Sequence, residues 1–349
     1  MNNTVHLLWL IPLLISCYYK KQYINHEISI KNTKGFYILM GQLSNHLEKL
    51  WGRNEVLMSG PKDYVKYINN FYTRIYINVD NGMIKIESID RNKYINYLRK
   101  SIINILLMYN HYTNNNLLKT QPFFYGQVLD NYHQPIRLNL HAAKFADFLL
   151  QTHLKSRTSG PHNIWFININ LVPNHIDHRS KKYLKIVNKI SHKYGINQSL
   201  ILSIIQIESS FNPYAVSNTN ALGLMQIKQN SAGREVFKMK NKLGQPSRSY
   251  LLNPENNIDI GTAYLAILQN NYLNGIVNSI SRRYAVIVAY NSGVSTLLKV
   301  FSPDPNKALK IINTLQPDDV YKILCTNHPS LESRSYLYKV NNLQKKYKK

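Results

Sequence analysis

An α+β N-terminal domain followed by a mainly α C-terminal domain is the fold class this sequence predicts. Three observations lead there. Strict apolar–polar alternation occurs in residues 73–87 and again in 165–172, both before residue 180. Beyond that point apolar residues recur almost entirely at helical spacing. The chain has 349 residues and 44% hydrophobic content, enough for two separate cores.

Taken in order, residues 1–16 carry an apolar run that ends after about ten residues, too short to span a bilayer as a permanent helix. Residues 17–35 are polar and lysine-rich without strong periodicity, and read as a tether. The accessory domain is placed at residues 36–180. It opens with Phe36, Leu39, Met40, Leu43, Leu47 and Leu50 at helical spacing through residue 51. Thr73 to Glu87 alternates around Asn81-Gly82, the signal of a β-hairpin. Tyr94 to Met108 and Ala142 to Leu154 read as helices, and Trp165 to Val172 as a further strand. No catalytic constellation appears in this half, so its expected role is scaffold or substrate positioning.

The catalytic domain is placed at residues 181–349. Gly195 is a helix stop, and Asn197 to Glu208 reads as the next helix. Residues 230–254, with Gly233, Gly244, Pro246 and Pro254, read as a loop-rich excursion. Asn257-Ile258-Asp259 then opens a helix through Tyr264 and Leu268, with Asp259 as a helix-start residue rather than a second catalyst. Arg282 to Gly293 is an apolar helix ending in Tyr290-Asn291.

Glu208 is the residue that carries chemistry. Leu200, Ile201, Ile204 and Ile205 share a helical stripe, and Glu208 continues it. A carboxylate there loses hydration, which raises its pKa and favours the neutral, proton-donating form. Asn212-Pro213 stops the helix just beyond, leaving the carboxyl at the helix C-terminal mouth, where the partial negative charge of the dipole acts in the same direction. From the helix alone, a glutamate that escapes to solvent is an equal reading.

Composition narrows the partners. Lys and Arg number 43 against 18 Asp and Glu, a net charge of +25 that attracts polyanions. No helix-turn-helix, zinc-finger or RNA-binding signature accompanies the charge, and the basic residues are scattered, so nucleic acid is not the expected partner. The abundance of Lys, Asn, Ile and the 26 tyrosines fits AT-rich codon bias, and an anionic cell wall or membrane surface fits the charge as well. With only Cys17 and Cys325, a disulfide framework and a four-cysteine zinc site are excluded, and Cys325 reads as a small buried hydrophobe. His175 and His178 stand three apart without acidic or cysteine partners, so neither metal nor cofactor is expected.

Four motifs in fixed order carry a resemblance. Glu208-Ser209, Gly223-Leu224-Met225-Gln226, Ala289-Tyr290-Asn291 and Glu332-x-Arg334-x-Tyr336 resemble the motifs of the soluble-lytic-transglycosylase family, whose catalytic domain is lysozyme-like. Gly35-Phe36 to Trp51-Gly52, Gly60 to Tyr67 and Val172-Pro173-Asn174-His175 resemble a membrane-bound branch of that family, extending the likeness over nearly the whole chain. The resemblance implies a peptidoglycan lytic transglycosylase, acting on the glycan strands and forming a 1,6-anhydro end. Glu208 would be the sole catalytic acid, since the next downstream carboxylates are Glu235, Glu255 and Asp259. Ser217 and Gln226 would hydrogen-bond the sugar or its acetamido group, Tyr290 would position that group and the acid, Asn291 would cap the floor, and Tyr336 would wall the cleft. Met225 reads as core packing, and for Tyr336 a core role stands beside the site role.

Two features depart from the pattern of the family. Ser292 stands where the family continues with two small glycine-like residues. A positive φ there would be strained, or its hydroxyl would cap the next helix. Leu14-Ile15-Ser16-Cys17 resembles a bacterial lipobox, in which residues 1–16 are a signal peptide and Cys17 is acylated. Yet residues 2–6 hold no Lys or Arg. With Tyr18 following, the sorting pattern of such lipoproteins points to the outer membrane, with the protein facing the periplasm and anchored through acylated Cys17. A lysozyme-type hydrolase on the same scaffold and a non-catalytic wall-binding lipoprotein are the competing readings.

Overall fold

The computed structural model describes residues 43–108, 121–160 and 162–348. The signal peptide, the tether and Cys17 therefore lie outside the described residues, as does the start of the helix expected from residue 36. Among the described residues, 43–59 and 63–175 form one compact unit, and 60–62 with 176–348 form the other.

The first unit is built on one antiparallel five-stranded sheet. Its strands are β1 (Asp63–Ile68), β2 (Thr73–Asn78), β3 (Met83–Ser88), β4 (Lys155–Ser159) and β5 (His162–Asn170), in the order β1-β2-β3-β5-β4. The register pairs Ile75 with Ile86, Ile77 with Ile84, Ile84 with Ile169 and Ile86 with Ile167, so the isoleucines form one continuous apolar face. Helices α1 (Tyr94–Leu106) and α2 (Asn139–Thr152) cover that face with Leu98, Ile102, Ile105, Ala142, Phe145 and Leu149. The opposite face receives Leu43, Leu47 and Trp51 from the helical residues 43–51 against Val65, Tyr67 and Ile164.

That second face also buries charge. Arg74 is 1% exposed; its Nε donates to Glu87 Oε2 at 2.8 Å, and its guanidinium lies 4.4 Å from the Trp51 ring. Arg157 Nη2 donates to Glu55 Oε2 at 2.6 Å and to Glu87 Oε1 at 3.2 Å, closing a network in which each carboxylate faces a cation.

The hairpin over residues 73–87 is present, with a wider turn than an Asn-Gly pair alone. Asn78 pairs with Met83, leaving Val79–Gly82 as a four-residue loop in which Asn78 Oδ1 accepts the Asp80 and Asn81 amides. Two strands carried no usable alternation. β4, reading Lys-Ser-Arg-Thr-Ser, has no apolar residue and is an edge strand paired only with β5; β1 is the other edge.

The second unit is helical: α3 (His175–Lys181), α4 (Leu184–Tyr194), α5 (Gln198–Ser209), α6 (Arg234–Met239), α7 (Arg248–Leu252), α8 (Pro254–Ile267), α9 (Ser279–Ser292), α10 (Val294–Lys299), α11 (Pro305–Thr314), α12 (Pro317–Asn327) and α13 (Leu331–Lys346). Gly195 ends α4 at φ 64°, the left-handed geometry that glycine reaches without strain. The stretch 230–254, expected to be loop-rich, holds the two short helices α6 and α7. Helix α8 starts at Pro254 under an Asn253 cap, three residues before the expected opening. Asp259 therefore sits in its second turn and is not a helix-start residue. It takes Lys193 Nζ at 2.7 Å, Tyr194 Oη at 2.9 Å and Lys240. Burial works against its charge, but the bonds from Lys193 and Lys240 prevail and hold its pKa below the ordinary range. Cys325 is half-buried beside the core rather than inside it, and burial raises its thiol pKa.

Candidate active site

Helix α5 runs through the middle of the second core. Asn197 caps it, its Oδ1 accepting the Ser199 amide at 2.9 Å. Leu200, Ile201, Ile204 and Ile205 are buried as the stripe requires, but so are Leu202 and Ser203, so the helix is enclosed on nearly every side. Ser203 meets this by donating to Ser199 O at 2.7 Å. Beyond its first residue Gln198, only the last turn, from Gln206 to Glu208, opens partly to solvent.

The end of the helix is pinned at several points. Ser209 Oγ bonds Leu224 O at 2.8 Å. Ser210 and Phe211 both turn left-handed, at φ 49° and 62°, which is costly for side chains other than glycine. Arg179 Nε donates to Ser210 O at 3.0 Å, and the Tyr183 ring stacks on Phe211 at 6.2 Å. The helix thus ends at Ser209, one residue after Glu208, at the left-handed Ser210, and Asn212-Pro213 lies just beyond.

Glu208 is half-buried, and its Oε1 accepts the Tyr336 hydroxyl at 2.7 Å. Its pKa is raised to about 7. Lost hydration is the main cause and the negative charge of Glu332 adds to it, while the Tyr336 hydrogen bond and the Lys62 charge oppose it. Near neutral pH the carboxyl is thus balanced between acid and base. Tyr336 itself is buried, and burial together with the charge of Glu208 holds its phenol well above the ordinary range, so it remains a donor.

Opposite lies the turn Gly223-Leu224-Met225-Gln226. Gly223 has φ 72°, and a Cβ there would collide with Asn257 and the Leu251 carbonyl. Buried Asn257 satisfies the turn: its Nδ2 donates to Leu222 O at 2.8 Å and Leu251 O at 2.7 Å, and its Oδ1 accepts the Met225 amide at 2.8 Å. The Met225 side chain is core, while its carbonyl accepts Tyr290 Oη at 2.8 Å. Gln226 Nε2 donates to Gly223 O at 2.9 Å, and its buried Oε1 has no partner among the described residues. A buried acceptor left open in this way suits an N–H or O–H donor from a ligand.

The structure brings Glu208, Tyr290 and Tyr336 together, since each tyrosine responds to the Glu208 charge. Ser217 is different. Its hydroxyl accepts the Ala221 amide at 3.0 Å and pairs with Thr219 at 3.2 Å, so these bonds close the 217–221 turn. Asn291 Oδ1 accepts Ser333 Oγ at 2.6 Å and its Nδ2 approaches Glu332 at 3.5 Å, tying the end of α9 to the start of α13. Ser292 meets neither expectation. The positive φ, 85°, falls on Gly293, and the serine hydroxyl bonds Val288 O at 3.0 Å and His328 Nε2 at 3.1 Å instead of capping α10.

Sequence reasoning missed Glu332, Lys62 and Arg179 as neighbours of this site. For Glu332 a signal existed: it precedes Tyr336 by four residues, so both lie on one face of a helix. Lys62 and Arg179 carried no such signal.

A family model described as "Membrane-bound lytic murein transglycosylase C, N-terminal domain" matches residues 29–182, and one described as "Transglycosylase SLT domain" matches residues 185–313. The chain is 58% identical to membrane-bound lytic murein transglycosylase C of Sodalis glossinidius, with all of both chains covered. It is 56% identical to the protein of the same name from Serratia proteamaculans, again over both full lengths. Among solved structures, the 70 kDa soluble lytic transglycosylase of Escherichia coli aligns at 26% identity and a TM-score of 0.38, covering 47% of this chain and 24% of that one.

Proposed function

The chain belongs to the membrane-bound lytic murein transglycosylase C family, and on that premise we propose that it is a peptidoglycan lytic transglycosylase with Glu208 as its acid and base. The observation that carries the assignment is a carboxyl with a pKa near 7, held by a buried phenol at the mouth of an apolar helix.

In this reading neutral Glu208 gives its proton to the oxygen joining N-acetylmuramic acid to N-acetylglucosamine. The bond from that oxygen to the muramoyl anomeric carbon breaks, and the substrate's own acetamido oxygen stabilises the positive carbon. The Glu208 carboxylate then takes the proton of the muramoyl C6 hydroxyl, whose oxygen closes on C1. The products are a new 4-hydroxyl and a 1,6-anhydro end, with no water consumed. The internal hydroxyl acts at the high effective concentration of an intramolecular nucleophile, so no second carboxylate has to activate water. The donated Tyr336 hydrogen bond favours the ionised form of Glu208 and burial favours the neutral form, so both halves of the cycle are accessible near neutral pH.

Tyr290 and the open Gln226 acceptor are assigned to the acetamido group, and Asn291 to the floor beneath it. Ser217 is assigned to the sugar through a lone pair beyond its turn bonds. The second unit carries the chemistry and the first is a scaffold or positioning domain. Residues 1–16 are assigned as a signal peptide and Cys17 as the acylated anchor to the outer membrane, facing the periplasm. The relatives' "membrane-bound" name supports an anchor, and among the described residues no helix is long and apolar enough to cross a membrane.

Mass spectrometry of muropeptides released from purified sacculi tests the reading, with Glu208→Gln as control. Products one water lighter than hydrolysed ones, absent from the control, are expected. Hydrated reducing ends would instead identify a lysozyme-type hydrolase. Wall binding without release would identify a binding protein.

A further inference from the structure

The last turn of α5 is held from two directions by residues that flank the transglycosylase-domain match, which spans 185–313. From the N-terminal side comes Arg179, on α3. It is 0% exposed, and its Nε bonds the carbonyl of Ser210 at 3.0 Å. Ser210 is the cap of the helix and lies two residues from Glu208. From the C-terminal side comes Tyr347, whose hydroxyl donates to Gln206 Oε1 at 2.6 Å, two residues before Glu208. The two sides meet again at Phe211, where Tyr183 stacks at 6.2 Å and Tyr347 packs edge-on at 6.4 Å. Lys346 and Asp177, adjacent to these groups, are ion-paired at 2.7 Å. All of these residues lie in the second compact unit.

A fully buried guanidinium is expensive to desolvate. Here it lies at the negative end of a helix dipole and bonds a backbone carbonyl that the helix leaves unsatisfied. Just there, two non-glycine residues are left-handed, a conformation that persists only when its surroundings impose it. Leucine or methionine would fill the space without holding the carbonyl.

We propose that Arg179 is a positioning residue for Glu208: by fixing the Ser210 carbonyl, it sets where the last turn of α5 presents its carboxyl, with Tyr347 as the opposing hold. This rests on the reading of Glu208 as the catalytic acid. The functional catalytic unit then extends to both sides of residues 185–313, from the Arg179 helix to Tyr347.

The test uses the full chain and a soluble muramyl tetrasaccharide, with rates expressed per folded molecule from circular dichroism and urea unfolding. Arg179→Met should lower kcat by about ten- to a hundredfold with KM within about twofold, since misplacing a reacting group by about 1 Å costs up to that much. Arg179→Lys, which keeps the charge and one donor, should recover part of the loss, and Tyr347→Phe should lower kcat by a smaller factor. Wild-type kcat per folded Arg179→Met molecule would overturn the proposal. So would a loss explained wholly by the unfolded fraction. If Arg179→Met does not fold, unchanged kcat in both Arg179→Lys and Tyr347→Phe would overturn it, and a kcat-selective loss in both would support it. Anhydro products from the wild type establish the underlying reading in the same assay. Their absence would overturn that reading, and the proposal with it.

Discussion

Replacing Glu208 with Gln should stabilise the protein by an amount that grows as pH rises from about 4.5 and is complete above about 7. Gln keeps an oxygen to accept the Tyr336 hydroxyl, now bonded at 2.7 Å, and removes the ionisable group. The folded state raises that group from its ordinary 4.5 to about 7, so the folded protein holds a proton that the unfolded chain has already lost between those values. Stability contributed by the neutral carboxyl is fully present below about pH 4.5 and is lost as pH rises through about 7. At about 1.4 kcal/mol per pKa unit the full loss is about 3 kcal/mol, or about 2 once residual hydration of this half-buried side chain is allowed for. Urea unfolding at pH 4 and pH 9 measures it, read on the transition of the helical unit because the chain has two units. Near-equal midpoints at pH 4 and a higher midpoint for the variant at pH 9 are expected. An advantage of the same size at both pH values, or none at pH 9, would refute the argument that burial destabilises the Glu208 anion.

Other outcomes follow from the same geometry. Turnover should fall above about pH 7 as Glu208 loses its proton. Tyr336→Phe should move that alkaline limb upward and Glu332→Gln should move it downward, because the first removes a bond to the anion and the second a repelling charge; a pH–rate profile of each reads the opposite signs. Gly223→Ala should cost about 2 kcal/mol or more in thermal unfolding, through its left-handed φ and the collision with Asn257 and the Leu251 carbonyl. Ser292→Gly should retain turnover while losing about 1 kcal/mol, since it removes the bonds to Val288 O and His328 but not the fold of the turn.

The parts legible in the sequence were those with a strong local period or a punctuating residue. The isoleucine alternation located the central strands, and Gly195 and Asn212-Pro213 marked helix ends near where they occur. Strand β4 was invisible because an edge strand of Lys, Ser, Arg and Thr buries nothing that would impose alternation. Asp259 was misread because Asn253-Pro254, a cap followed by proline, outranks a carboxylate as a start signal. Glu208 was legible because one helix states its own conflict, an acid among aliphatics. Tyr336 was reached through the Glu332-x-Arg334-x-Tyr336 resemblance, and Glu332 shares its helix face, whereas Lys62 comes from a distant segment that no local pattern links to the acid. Ser292 looked like a defect only while His328 was out of view.

The Glu208–Tyr336 bond spans 128 residues of chain. A polypeptide made N-terminus first displays its carboxyl long before the phenol arrives. Until α13 docks, Glu208 lacks the donor that steadies its anion and the share of its burial that α13 supplies. An emerging chain therefore carries the acid before its tuning is complete, and the last helix of the chain is the one that completes it.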